Sequence, residues 1–147
     1  MKLSSAKKCL RIIGTLILIG AVISILFGVF MTFLGGAGTT MPDIEKDEEM
    51  VKGVAVLLGG GIGIIIAGIF SFIEGLVTIS AGKTGRHTMA ALVFAVIGVI
   101  GGCTRIYEVL AKGTGSTAAT VGVILGVALN VLTLVAVLAV RKAAKKA

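Results

Sequence analysis

The stretch from Val56 to Gly75 reads VLLGGGIGIIIAGIFSFIEG, and it contains six glycines and a single acidic residue, Glu74. Its apolar length meets the ~20 residues that a helix needs to cross the hydrocarbon core of a bilayer. Glycine weakens a helix in water, but in lipid the backbone must satisfy its own hydrogen bonds, so a helix is the only viable state. The stretch therefore predicts a membrane-spanning helix.

Three further segments have the same character. The chain of 147 residues is 56% hydrophobic and only 14% charged, with a mean hydropathy of +1.11. These values are typical of a membrane protein. The predicted fold is an all-α membrane protein with one domain, 1–147, of four transmembrane helices at about 12–34, 54–80, 89–111 and 117–140. An outer acidic loop, 36–52, joins the first two, and we expect the Gly-rich segment 35–40 to be flexible.

These four spans use nearly the whole chain and leave no room for a soluble catalytic domain. The single histidine, His87, has no second histidine or cysteine at ligand spacing, so zinc would lack ligands. No serine or cysteine has a general base nearby in sequence. We therefore expect a non-enzymatic protein with no cofactor and no metal.

Basic residues indicate the orientation. Ten of the 14 basic residues fall in three segments on one predicted side: before the first span, between the second and third, and after the fourth. The positive-inside rule makes that side cytoplasmic, which predicts an up-down-up-down bundle with both termini inside. The net charge of +7 then suits anionic lipids at a basic cytoplasmic rim rather than nucleic acid.

Small residues recur at every fourth position of the spans. Small-xxx-small faces let helices approach closely in lipid, where association depends on van der Waals contact. We interpret these stripes as packing faces of the bundle, and alternatively one of them as the contact of a homo-oligomer or a larger membrane complex. Their members include Gly59, Gly63, Ala67, Ser71 and Gly75 in the second span, Gly20, Ser24 and Gly28 in the first, Gly98 and Gly102 in the third, and Gly122 and Gly126 in the fourth.

Glu74 is the first candidate for a functional site, because ionisable residues are costly to bury in a membrane. It lies about six residues, or ~9 Å of helix rise, from the cytoplasmic end of its predicted span. One hypothesis is a carboxylate that is capped locally or reaches the headgroups. The other is a site that binds a proton or another cation inside the bundle.

Three other polar residues complete the candidate site. Asn130, near the middle of the fourth span, is predicted in the same layer as Glu74, either as an interhelical hydrogen-bond partner or as part of a substrate site. Arg105 and Glu108 are spaced to pair near the outer end of the third span, as an anchor beside Tyr107 or as an outer vestibule.

The hairpin GIFSFIEGLVTISAGKTGRHTMAALVFAVIGVIGG, residues 68–102, resembles in layout and glycine content the central hairpin of small bacterial four-span proteins. That resemblance implies a bacterial-type inner membrane. Two function classes remain open from the sequence. One is a structural, accessory or interaction subunit, and the other is a small transporter or channel subunit with a proton- or cation-binding carboxylate at Glu74.

Overall fold

The computed structural model describes the backbone of residues 3–40, 48–112 and 117–144, with the side chains of 108–110, 112 and 117–119 excepted. Within these ranges the chain is helical apart from short turns, and it forms α1 (Leu3–Thr39), α2 (Glu48–Thr84), α3 (Thr88–Lys112) and α4 (Thr117–Ala144). All four helices are long and apolar enough to cross a membrane. The prediction of an all-helical protein with four candidate spans is confirmed.

The first two helices are longer than their predicted spans. Each has 37 residues, which gives a length of about 55 Å and exceeds the ~30 Å hydrocarbon core. α1 continues through Gly35 and Gly36 to Thr39, so the expectation of a flexible segment at 35–40 is wrong for residues 35–39. Residues 41–47 of the predicted outer loop lie outside the described residues.

Residue contacts divide the chain into two compact units. One, here called the four-helix unit, comprises Met1–Ile17 and Glu74–Ala147, and so contains the start of α1, the end of α2, and all of α3 and α4. The other, the two-helix unit, comprises Leu18–Ile73.

The two-helix unit is held by close backbone contact. A Cβ atom added to Gly28 would lie 2.8 Å from the carbonyl oxygen of Gly61, and one added to Gly68 would lie 3.2 Å from that of Ala21. Residues late in α1 meet residues early in α2, since Gly35 lies against Leu58 and Gly38 against Val54. The last two contacts explain why α1 does not end at its glycine pair.

In the four-helix unit, apolar side chains from four helix ends form one buried cluster. The start of α1 contributes Ala6 and Leu10, the end of α2 contributes Ala81, and the start of α3 contributes Ala91. The end of α4 completes the cluster with Ala136, Val137 and Val140. α1 and α2 also approach closely here, because a Cβ on Gly14 would lie 3.0 Å from the carbonyl oxygen of Gly75.

The turn between α2 and α3 uses two residues with positive φ. Gly85 has a φ of 72° and donates its amide hydrogen to the carbonyl of Ala81 at 3.0 Å, which ends α2. His87 has a φ of 59°, uncommon for a residue with a side chain, and its carbonyl accepts the amide hydrogen of Ala91 at the start of α3. The turn thereby satisfies backbone groups at both helix ends.

Candidate functional site

Glu74 is buried. Only 8% of its surface is exposed, and its Oε1 atom has no hydrogen-bond partner within the described part of the chain. Because α2 continues to Thr84, Glu74 lies ten residues, or about 15 Å, from the end of its helix, deeper than the ~9 Å predicted. Oε1 is thus neither exposed nor capped by any group that the structure describes.

Thr78, one turn after Glu74 on the same face of α2, is fully buried, and its hydroxyl also has no described partner. Other helical threonines behave differently. Each of the following donates its hydroxyl to the carbonyl four residues earlier, at 2.8 to 2.9 Å: Thr15, Thr32, Thr84, Thr104 and Thr133. Thr78 lacks this bond, so its hydroxyl is free to bind another group.

α4 contributes two more buried polar groups. Thr133 is fully buried, and because its hydroxyl donates to the carbonyl of Leu129, its oxygen lone pairs remain able to accept. Asn130 donates its side-chain amide to the carbonyl of Gly126 at 3.0 Å, and its Oδ1 has no partner among the described residues. The Asn130 side chain packs flat on Gly98 of α3, where an added Cβ would lie 2.5 Å from Oδ1.

Counting along the helices from the buried cluster places these groups at a common level. On α3, Gly98 lies seven residues after Ala91, and on α4, Asn130 lies seven residues before Val137. These two residues are in contact. On α2, Glu74 lies seven residues before Ala81. Two helical turns, or about 10.5 Å, therefore separate the apolar cluster from a level that carries Glu74 and Asn130.

The same count places two hydroxyls between the cluster and that level. Thr78 lies three residues from Ala81 on α2, and Thr133 lies four residues from Val137 on α4. We call Glu74, Thr78, Asn130 and Thr133 the polar layer. Its unpartnered atoms are all oxygens: Glu74 Oε1, Thr78 Oγ1 and Asn130 Oδ1.

No basic side chain within the described residues forms an ion pair with Glu74; the ion pair described is Lys52–Glu48 at 3.8 Å, on the exposed start of α2. Arg11 is the closest basic residue along α1, one turn before the Gly14 contact. Its Nε donates to the carbonyl of Gly82 at 3.3 Å, which directs it to the end of α2. The charge of the Glu74 carboxylate is therefore not balanced by the protein groups that the structure describes.

The other candidate pair is not part of this layer. Arg105 is exposed on α3, and Tyr107 close to it is also exposed. The side chain of Glu108 lies outside the described residues, so its pairing with Arg105 stays a prediction. Both positions fall beyond Gly102, on the far side of the polar layer from the buried cluster.

The glycines predicted to pack helices divide into two groups. Gly28, Gly75, Gly98 and Gly102 lie at contacts between helices, Gly102 against Val127 of α4. Ser24 and Ser71 are half-buried, whereas Ala67 is exposed. The other group faces away from every described residue, because an added Cβ would meet no atom within 4 Å: Gly20, Gly59, Gly63, Gly122 and Gly126. For these five, a packing role stays a prediction.

The contact face has a spacing of seven rather than four. Small residues recur every seven positions along α1 and α2, and all eight are buried: Gly14, Ala21, Gly28 and Gly35, and Gly61, Gly68, Gly75 and Gly82. Within each unit, a seven-residue spacing keeps such residues on the helix face that meets the neighbouring helix. The spacing is visible in the sequence, but the triple glycine at 59–61 makes the four-residue stripe equally visible.

No family model, no curated protein and no solved structure matches the chain.

Proposed function

We propose that the protein is a multi-pass membrane protein of a bacterial-type inner membrane, with an up-down-up-down bundle and both termini cytoplasmic. The order of the contacts supports this, because Gly14 meets Gly75 while Gly82 meets Lys7, and Gly98 meets Asn130 while Gly102 meets Val127. The basic residues near the buried cluster support the orientation. They also suit contact with anionic lipids.

Its proposed role is that of a non-enzymatic structural, accessory or interaction subunit. The observation that carries this is the outward face of α2, where Gly59 and Gly63 meet no described atom and Ala55 and Ala67 are exposed. Exposed glycines in a membrane helix give another helix room for close backbone contact. The partner is a second copy of the chain or another subunit of a larger membrane complex.

Photo-crosslinking in native membranes tests this role. A photoreactive residue at Gly63 is expected to form a protein adduct, whereas the same residue at Ile69, exposed but on a different side of α2, is expected to react mainly with lipid. Equal adduct yields at both positions, or lipid adducts alone at Gly63, would contradict the proposal.

A second candidate is a small transporter or channel subunit with a proton- or cation-binding carboxylate at Glu74. The burial of Glu74 without a described partner favours it, because an intramembrane carboxylate is costly unless it is used. Protein reconstituted in vesicles should then show proton or cation flux that Glu74→Gln abolishes. Glu48→Gln, on the exposed start of α2, is the matched control, and silent vesicles with folded protein argue for the first role.

A further inference from the structure

The polar layer contains more oxygen acceptors than its described donors can satisfy. Glu74 Oε1, Thr78 Oγ1 and Asn130 Oδ1 are each buried and without a described partner. Leaving such an atom unsatisfied in an apolar interior destabilises the fold, and more so when the group is charged. A bound positive charge would satisfy several of these oxygens at once.

The missing helix bond of Thr78 sharpens this observation. A buried helical threonine ordinarily gives its hydroxyl to the carbonyl one turn earlier, as Thr133 does. Thr78 is equally buried and does not make that bond, although Glu74, whose carbonyl stands at that position, is in regular helix. Its hydroxyl is thereby held available on the same helix face as the Glu74 carboxylate.

One carboxylate fits one positive charge. No group of three or more His, Cys, Asp or Glu residues that could hold a metal ion occurs in the described ranges, so the donor set is a single carboxylate with hydroxyl and amide oxygens. Hard oxygen donors of this kind suit hard cations rather than thiolate- or imidazole-preferring metals.

We propose that Glu74 and Thr78, with Thr133 from α4, bind one monovalent cation inside the four-helix unit. The cation is held between the carboxylate and the hydroxyl oxygens, and Asn130 borders the site on the side of α3. The cation is either Na⁺ or a proton, since each would neutralise the negative charge of Glu74. This inference rests on the second candidate function and names its ligand.

Glu74 is the charged side chain at the level of the site within the described residues. From α1 the level is occupied by Gly14 and Ile17, with Arg11 bonded at Gly82; from α3 it is occupied by Ala95 and Gly98. From α4 it is occupied by Asn130 and Thr133. Across the described positions of these helices, no other acidic or basic side chain lies at this level.

Thermal unfolding of the purified full chain in mild detergent tests the site, because a ligand that binds the folded state raises the unfolding temperature. In the sodium arm, replacing choline chloride by an equal concentration of sodium chloride should raise the midpoint of the wild type. In the proton arm, lowering the pH in choline chloride should raise it. Glu74→Gln should lose the dependence that the wild type shows in one arm or the other.

Thr78→Val tests the second ligand and keeps the proposal testable if Glu74→Gln fails to fold. Loss of one hydroxyl should raise the cation concentration for half of the effect by about tenfold. Thr104→Val is the matched control, since that exposed hydroxyl is bonded within its own helix. It should leave the cation dependence unchanged.

The proposal is overturned if the wild type responds to neither cation, or if Glu74→Gln or Thr78→Val responds as the wild type does. The failure of the site is distinguishable from the failure of the transport role. Cation-dependent unfolding in detergent together with no flux in vesicles would keep the site and reject the transporter. Flux that survives Glu74→Gln would reject Glu74 as the transport carboxylate, and the unfolding midpoint would decide the site.

Discussion

In the two-helix unit Gly28 lies against the backbone of Gly61, and the buried residues at the contact are glycines and Ala21. In the four-helix unit Leu10 and Val137 are fully buried, together with Thr78 and Thr133. In the two-helix unit the helices meet at glycines, where backbones approach closely. In the four-helix unit the helices meet through buried side chains, some of them polar.

This difference follows from the solvent. Lipid is as apolar as leucine, so turning a leucine away from lipid gains little, and a pair of helices gains most from close backbone approach. Four helices enclose an interior, and an interior can hold a polar residue away from lipid. The unit with an interior is therefore the one that carries the candidate site.

The largest effect is expected from Gly61→Ala in the two-helix unit. Its Cβ would lie 2.8 Å from the carbonyl oxygen of Gly28 and 2.7 Å from the amide nitrogen of Thr32, and backbone atoms cannot move aside cheaply. The free energy of unfolding in mild detergent should fall by about 3 kcal/mol. Gly60→Ala, with no atom within 4 Å, should leave it unchanged. Equal effects at the two positions would show that backbone contact is not what holds this unit.

Leu10→Ala examines the side-chain packing of the four-helix unit. In lipid, burying leucine gains no free energy of transfer out of water, but the cavity left by the substitution still destabilises the fold. We therefore expect the free energy of unfolding to fall by about 2 kcal/mol. Leu26→Ala, at a position that is 65% exposed, should lose much less. A small effect at Leu10 would remove the contrast between the two units.

Gly98→Ala tests a contact of the four-helix unit that combines both kinds of packing. The new Cβ would displace the Asn130 amide and break its bond to the Gly126 carbonyl, at a cost of about 1–2 kcal/mol. Asn130→Ala in the same chain should restore part of the loss. A double-mutant cycle measures this coupling, and strictly additive losses would contradict the contact. Gly101→Ala, open to space, is the control.

The smallest effect is expected at the α2–α3 turn. Gly85→Ala places a side chain at a φ of 72°, which should cost about 1 kcal/mol. His87→Gly relieves a φ of 59° and should raise stability by a similar or smaller amount. Thermal unfolding of both variants checks the pair. The unfolding temperature should fall in Gly85→Ala and rise in His87→Gly. A fall in both variants would mean that the His87 side chain stabilises the turn.

The sequence predicts the four helices because an apolar segment long enough to cross a membrane must satisfy its backbone hydrogen bonds as a helix. It predicts the boundaries less well: α1 runs past Gly35 because that residue packs on Leu58, a contact that no local propensity reveals. For the site, the polar residues Glu74 and Asn130 could be selected from the sequence because each interrupts an apolar span. Thr78 stands out only when its missing helix bond is seen beside the bonds of Thr84 and Thr133.

The amino-acid sequence alone determines the number of spans, the basic ends and the single carboxylate in the apolar part of α2, because each depends on composition along the chain. Which glycines meet, and whether Glu74 turns inward, was decided by the tertiary structure. The physical reason is that these helices are apolar on every side, so hydropathy does not mark an inner face. Stripes spaced by four and by seven are both present, and steric contact with the neighbouring helices selects the one that packs.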